Sequence, residues 1–272
     1  MSVLDSLTEW PVDHASAAII TRDGVAEQFG DPARVYELAS VTKPLAAYAV
    51  LVAVEEGAVE LDDPAGPPGS TLAHLLSHAS GLAYDTHEVQ APAGEQRIYS
   101  SSGFEVAADA VAEATGIAFD RYLSEAVCAP LGMSSTTLQG SAGHAARSTV
   151  ADLSAFAGEL MNPRLLAPET FSAATSVQFP GLDGFVPGYG KHRPNDWGLG
   201  FEIRSEKSPH WTGTRNSPRT FGHFGQAGTF LWVDPALDAA CVVLTDRPFG
   251  PWAKPLWSEF NDRVVSELSS QE

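Results

Sequence analysis

The chain has 272 residues, of which 44% are hydrophobic and 18% charged, the proportions of a folded globular protein and not of a disordered one. Thirty-four acidic residues against sixteen basic ones give a formal charge of −18. A field of that sign repels phosphate backbones and anionic lipid, so nucleic acid and membrane surfaces are poor partners, and a solvated acidic surface is the simplest reading.

The opening stretch MSVLDSLTEW has neither a basic segment nor an apolar core of signal-peptide length. The longest apolar run, 45–54, ends at Glu55 and Glu56, short of a membrane span. A cytoplasmic location is the expectation. Residues 15–30 hold two β-prone runs around Asp23-Gly24, a strong hairpin signal. Ser40 then opens a helix that runs to about Glu56 and stops at Gly57. From about residue 60 to 187 helical pieces such as TLAHLLSHASG and TVADLSAFAGELMNP alternate with Gly/Pro/Ser loops. Strands return from 188 (DWGLGFEIR, AGTFLWVDP, AACVVLTDR), and an amphipathic helix closes the chain over 252–268. Strands at both ends around a helical middle imply an α+β fold: one domain over 1–272, its sheet layer from 1–59 and 188–272 and its helical region from 60–187.

The chemistry starts at LASVTKPLAAYAVLVAVEEG, residues 38–57. A lysine is a costly neighbour for packed aliphatics unless its amine has a task. Ser40 and Lys43 lie three residues apart, on one helical face, so the amine can reach the hydroxyl. The helix start adds free backbone N–H groups and positive potential for an oxyanion. Pro44 is tolerated in the opening turn. None of the other lysines, Lys191, Lys207 and Lys254, has a serine at that spacing. The competing reading of the motif is a capping serine beside an outward-pointing lysine.

Deprotonating an ordinary lysine at pH 7 costs about 4.6 kcal/mol, so burial or a second proton carrier has to help. A tyrosine suits that role. Tyr99, in the loop sequence YSSSGF just before a helix, can project into a cleft; Tyr122, inside a helical pattern, reads as packing. His223, in FGHFGQAGTFLWVD, precedes a strand among glycines that permit close backbone approach, where a turn histidine is the alternative. Cys128 and Cys241 sit in apolar settings without a CxxC partner and read as buried thiols. His74 and His78 have metal-ligand spacing, but the glutamate of H-E-x-x-H is missing, and GYGKHR lacks the pattern of a phosphate loop. No serine has the G-x-S-x-G context of an α/β-hydrolase. Neither a metal nor a cofactor is expected.

These motifs together resemble the family of class C β-lactamases, serine D-alanyl-D-alanine carboxypeptidases (penicillin-binding proteins) and related esterases. Its pattern of S-x-x-K, then Y-x-N, then K-T-G or a variant such as H-x-G, matches Ser40–Lys43, Tyr99–Ser101 and His223–Gly225. ELDDPAG, LAHLLSHASGL, PLGMSSTTL, STVADLSAF and WGLGFEI are similar to family segments and stand in family order. The resemblance implies an antiparallel sheet flanked by helices beside a helical region, with the cleft between them. It also implies a catalytic set of Ser40, Lys43 and Tyr99 that hydrolyses an ester, amide or β-lactam through an acyl-enzyme. Ser101, His223, Gly225 and Gln226 would bind substrate, the oxyanion lying between the Ser40 and Gln226 N–H groups. Two departures bear on specificity. Ser101 replaces an asparagine amide, and His223 replaces a permanent cation with one that titrates near its ordinary value of about 6.5. Small neutral esters are therefore the expected substrates, and an acyl-ligand-binding homologue without turnover is the alternative.

Overall fold

The computed structural model describes residues 2–270. β1 (Ala15–Thr21) and β2 (Gly24–Phe29) form the expected hairpin, with Arg22 and Asp23 at its tip and Gly24 at φ +110°. β8 (Glu202–Ile203), β9 (Phe221–Gly225), β10 (Thr229–Asp234) and β11 (Ala239–Thr245) come from the other end of the chain. Together they form one antiparallel sheet in the order β2-β1-β11-β10-β9-β8, closed across the sequence by the pairing of Ala15 with Thr245.

β1, β10 and β11 have both faces buried, so they read as largely apolar runs instead of an alternation, whereas β2 forms an exposed edge. Ile20, Leu231, Val233, Val242 and Leu244 point to one side, where α1 (Thr42–Glu55) and α5 (Val150–Met161) cover them. Ile19, Phe230, Trp232 and Val243 point to the other, beneath α7 (Ala253–Ser269) and the short 3-10 helix Val3–Glu9. The helix α1 is buried from Thr42 through Ala53, all the way round, because it runs between the sheet and the remaining helices. Those are α2 (Leu72–Leu76), α3 (Ser102–Thr115), α4 (Phe119–Leu123), continued by a π-turn, and α6 (Pro168–Ala174). Two minor sheets complete the fold. β3 (Tyr36–Glu37), β4 (Thr137–Leu138) and β5 (Ala146–Ser148) pair in the order β3-β5-β4, and β6 (Gly184–Val186) pairs with β7 (Gly190–His192).

Two local readings change. The helix does not begin at Ser40: residues Ala39–Val41 make a 3-10 turn, entered through Ala39 at φ +46°, and α1 follows from Thr42. DWGLGFEIR is a strand only over Glu202–Ile203. Gly200 brings the backbone hard against α1, where a Cβ on it would lie 2.0 Å from the Ala47 Cβ.

Close approach also fixes Gly225. A Cβ there would meet the Leu38 carbonyl oxygen at 2.1 Å and Thr229 Oγ1 at 2.5 Å, and Thr229 Oγ1 itself donates to Leu38 O at 2.9 Å. β9 is thereby held directly against the segment that carries Ser40. Gly225→Ala is expected to lower unfolding free energy by ~3 kcal/mol or more, since two backbone segments must separate. Gly57→Ala, at φ +71° with open space around it, should lose only ~1 kcal/mol. Urea unfolding midpoints measure both, and equal losses would contradict the packing argument.

Candidate active site

Ser40 sits on the 3-10 turn at the mouth of α1 and is 5% exposed, while Lys43, one turn further in, is fully buried. The Lys43 amine meets three oxygens: Ser40 Oγ at 3.2 Å, Ser101 Oγ at 3.1 Å and the Gly143 carbonyl at 2.8 Å. It also lies 4.6 Å from the centre of the Tyr99 ring. None of these partners is a carboxylate. Burial therefore pulls the amine down to a pKa of about 7, opposed only by the more distant charge of Glu105. A neutral amine has two protons and one lone pair. The Gly143 carbonyl can only accept, so one proton goes there, and the lone pair is free to take the Ser40 hydroxyl proton.

Gly143 was not singled out in the sequence. It belongs to the loop before β5, and a Cβ on it would lie 2.7 Å from the Ser101 Cβ, so only glycine lets this carbonyl reach the amine. Ser101, where the family pattern has asparagine, is buried at the start of α3 with its hydroxyl on Lys43 and not on the open cleft.

Tyr99 is half-buried, stacked on Tyr84 (ring centres 6.0 Å apart) with a tilted His78 ring 4.6 Å away. Burial pushes its phenol well above the ordinary range, and a hydrogen bond with Ser40 works against that shift. Its hydroxyl lies 2.7 Å from His223 Nε2. Tyr122, the alternative tyrosine, is buried in packing and donates to Glu56 Oε2 at 2.7 Å.

His223 requires a correction. The sequence places it as a titrating cation facing the substrate, but it has no exposed surface, and burial pulls its pKa down to about 4, with Glu202 opposing. Trp197 packs edge-on at 5.0 Å and closes it off. His223 is therefore a neutral partner of Tyr99 at physiological pH. Gly225, also buried, shapes the cleft by letting β9 approach Leu38 and has no side chain to offer a ligand. Gln226 is exposed in the β9–β10 turn and lines, with Ser40, Tyr84, His144 and Arg147, a cleft of about 500 Å³. Arg147 is the cation of that wall. It stands on β5 opposite Glu37 of β3, 3.8 Å away, with 42% of its side chain exposed. A larger recess of about 830 Å³ against α6 contains none of these groups.

His74 and His78 do not share a site. His74 Nδ1 caps the start of α2 by accepting from Thr71 N–H at 3.3 Å, whereas His78 lies beneath Tyr99 and accepts the Ser100 N–H at 3.1 Å. Cys128 and Cys241 are free buried thiols. No helix among the described residues is long and apolar enough to cross a membrane.

A crystal structure solved as a beta-lactamase from Mycobacterium bovis is 58% identical, with a TM-score of 0.97 over 98% of this chain and 99% of that one. EstCE1, a hydrolase with promiscuous acyltransferase activity, shares the fold at 16% identity, with a TM-score of 0.78 over 96% of each chain. The D-alanyl-D-alanine-carboxypeptidase/endopeptidase AmpH of Escherichia coli (strain K12) is 28% identical over 155 residues, 43% of this chain and 40% of that protein. The chain thus spans less than half the length of the curated relatives it matches. The antiparallel sheet flanked by helices is the beta-lactamase-like fold that the motifs imply. With the Beta-lactamase family model matching residues 15–262, the chain belongs to the beta-lactamase family.

Proposed function

We propose that this protein is a serine acyl hydrolase that works through an acyl-enzyme on Ser40 and favours small esters over β-lactams and carboxylate-terminated peptides. The observation that carries the reading is the fully buried Lys43 amine, 3.2 Å from Ser40 Oγ and held among neutral oxygens. In the neutral form Lys43 takes the Ser40 proton as Oγ attacks the acyl carbonyl. The carbonyl oxygen turns toward the N–H groups of Ser40 and Gln226. The first helical bond of the 3-10 turn runs from Val41 N to Leu38 O, which leaves the Ser40 N–H ahead of the ladder. Lys43, now an ammonium, returns the proton to the leaving group, and water then releases the acyl group. The small-ester preference rests on Ser101, which has no amide for a substrate side chain, and on His223, which offers the cleft no charge. A homologue of EstCE1's fold is a natural host for such chemistry.

Lys43 sets the pH dependence of acylation. Its folded pKa is lowered to about 7, so the base form accumulates as pH rises through that value. Acylation of Ser40 by a p-nitrophenyl ester is expected to rise about tenfold per unit below pH 7 and to level off above it. Lys43→Arg, which cannot give up its proton, should lose at least about a hundredfold. Rapid-quench mass spectrometry with peptide mapping reads both, and acyl label on any residue other than Ser40 sinks the assignment. Label on Ser40 that never turns over would favour the acyl-ligand-binding reading.

A second expectation concerns substrate charge. With His223 neutral and buried, a carboxylate on the substrate meets Arg147 instead. KM for a carboxylate-bearing β-lactam relative to a neutral ester should be flat from pH 5.5 to 8 in respect of His223. Arg147→Ala should raise KM for the β-lactam by roughly threefold to tenfold and leave the ester alone, the scale of one partly solvated polar contact. A relative KM that follows a titration near pH 6.5 would restore His223 as the cation.

A further inference from the structure

A buried ionic cluster stands behind Tyr99, and the acyl-transfer chemistry above makes no use of it. Glu202 on β8 is 1% exposed, and its carboxylate is surrounded by donors. Lys207 Nζ (3.0 Å) and His210 Nε2 (3.1 Å) reach Oε1, and Trp211 Nε1 (2.8 Å) donates to Oε2. Lys207 is 3% exposed and also donates to the carbonyls of Asp196 and Ile203, each at 2.8 Å. An ion pair this deep is commonly no more stable than an apolar pair of the same volume, so stability does not account for it.

The two histidines of the cluster show what the carboxylate imposes. The Thr212 N–H donates to His210 Nδ1 at 3.3 Å, so the His210 proton resides on Nε2, aimed at Glu202. His223 presents its other nitrogen: Nδ1 stands 3.6 Å from Glu202 Oε2, longer than a hydrogen bond, and no acceptor among the described residues binds it more closely. A carboxylate at that distance favours an N–H over a lone pair on the facing nitrogen. With the proton on Nδ1, Nε2 is a bare acceptor, and the hydroxyl 2.7 Å away has to supply the hydrogen. The Tyr99 proton is then turned away from Ser40, and an oxygen lone pair faces the nucleophile. Lys43, Lys207 and His78 are the other titratable groups whose fields act on or from His223, and none of them bonds its ring.

We propose that Glu202 is a positioning residue for hydrolysis: acting through His223, it fixes the imidazole as the Nδ1–H tautomer, so that the Tyr99 proton stays on the His223 side and the phenol oxygen faces Ser40 as a hydrogen-bond acceptor and not as a donor, leaving the Ser40 proton to Lys43. The proposal rests on the reading of Ser40 as nucleophile. It leaves Lys43 as the group that protonates the leaving atom, and it explains why the H-x-G histidine is sealed from the cleft.

Imidazole nitrogen NMR on the 15N-labelled wild-type protein reads the tautomer without any mutation. His223, assigned by loss of its signals in His223→Asn, is expected to show a protonated Nδ1 and a bare Nε2. An Nε2–H tautomer overturns the proposal. Glu202→Gln alone strands the Lys207 charge, so the kinetic arm uses Glu202→Gln with Lys207→Met, which removes both charges at similar volume. That variant is expected to show a second His223 tautomer, to lose about a hundredfold in kcat with KM unchanged, and still to acylate at Ser40. Wild-type kcat with an unchanged tautomer, or a loss confined to KM, overturns the proposal. Ser40→Ala separates the two levels: turnover in that variant defeats the hydrolase reading, whereas the tautomer measurement stands whatever Ser40 does.

Discussion

The arrangement depends on an amine held out of water. Taking Lys43 to zero exposure with no carboxylate against it makes the neutral form accessible near pH 7, and three separate segments are committed to keeping it so. The 38–41 turn brings Ser40, the start of α3 brings Ser101, the loop before β5 brings the Gly143 carbonyl, and Tyr99 lies over the amine. These segments are tied to one another as well as to the lysine. The Ala146 N–H donates to Thr42 Oγ1 at 2.9 Å, and the Leu38 N–H donates to Ala146 O at 2.9 Å. The loop cannot move without disturbing the helix that carries the amine.

Electrostatics are divided by depth. Deep in the protein Glu202 and Lys207 neutralise one another, leaving His210 and His223 uncharged, each with burial drawing its pKa down to about 4. Near the surface of the cleft, Arg147 and Glu37 face each other at 3.8 Å where water screens them, so their mutual attraction is weak and either can turn to a ligand. Charge that could recognise a substrate is thus on the rim, and charge that sets geometry is behind the reacting atoms.

Much of this was legible in the residues. The spacing of Ser40 and Lys43, the loop position of Tyr99 and the two β-rich ends all correspond to features of the structure, because each depends on local pattern. What pattern could not show is depth. His223 has the right neighbours in sequence, yet Trp197 and the strands around it determine that it is sealed. Ser101 reads as a weakened substrate contact until the structure turns its hydroxyl onto Lys43. Gly143 and Tyr84 carry no motif, and both enter the site through loops. Glu202 left a signal that went unread: an acidic residue inside the apolar run WGLGFEI, where an isolated carboxylate is costly unless donors surround it.

The pairing of β1 with β11 sets the order in which the molecule becomes reactive. Ser40, Lys43 and Tyr99 are all in place along the chain before residue 100, but their partners at 143, 202 and 223–226 come much later. During synthesis the first strand has no neighbour on its inner side until Thr245 has emerged to meet Ala15, and α1 has no sheet to bury it. Contacts of such long sequence separation form slowly, and the apolar face of α1 stays open to non-native partners in the interval. A nascent chain therefore holds its nucleophile and base without the walls that desolvate them, so the lysine is an ordinary ammonium and the serine inert. Reactivity arrives with the last strand.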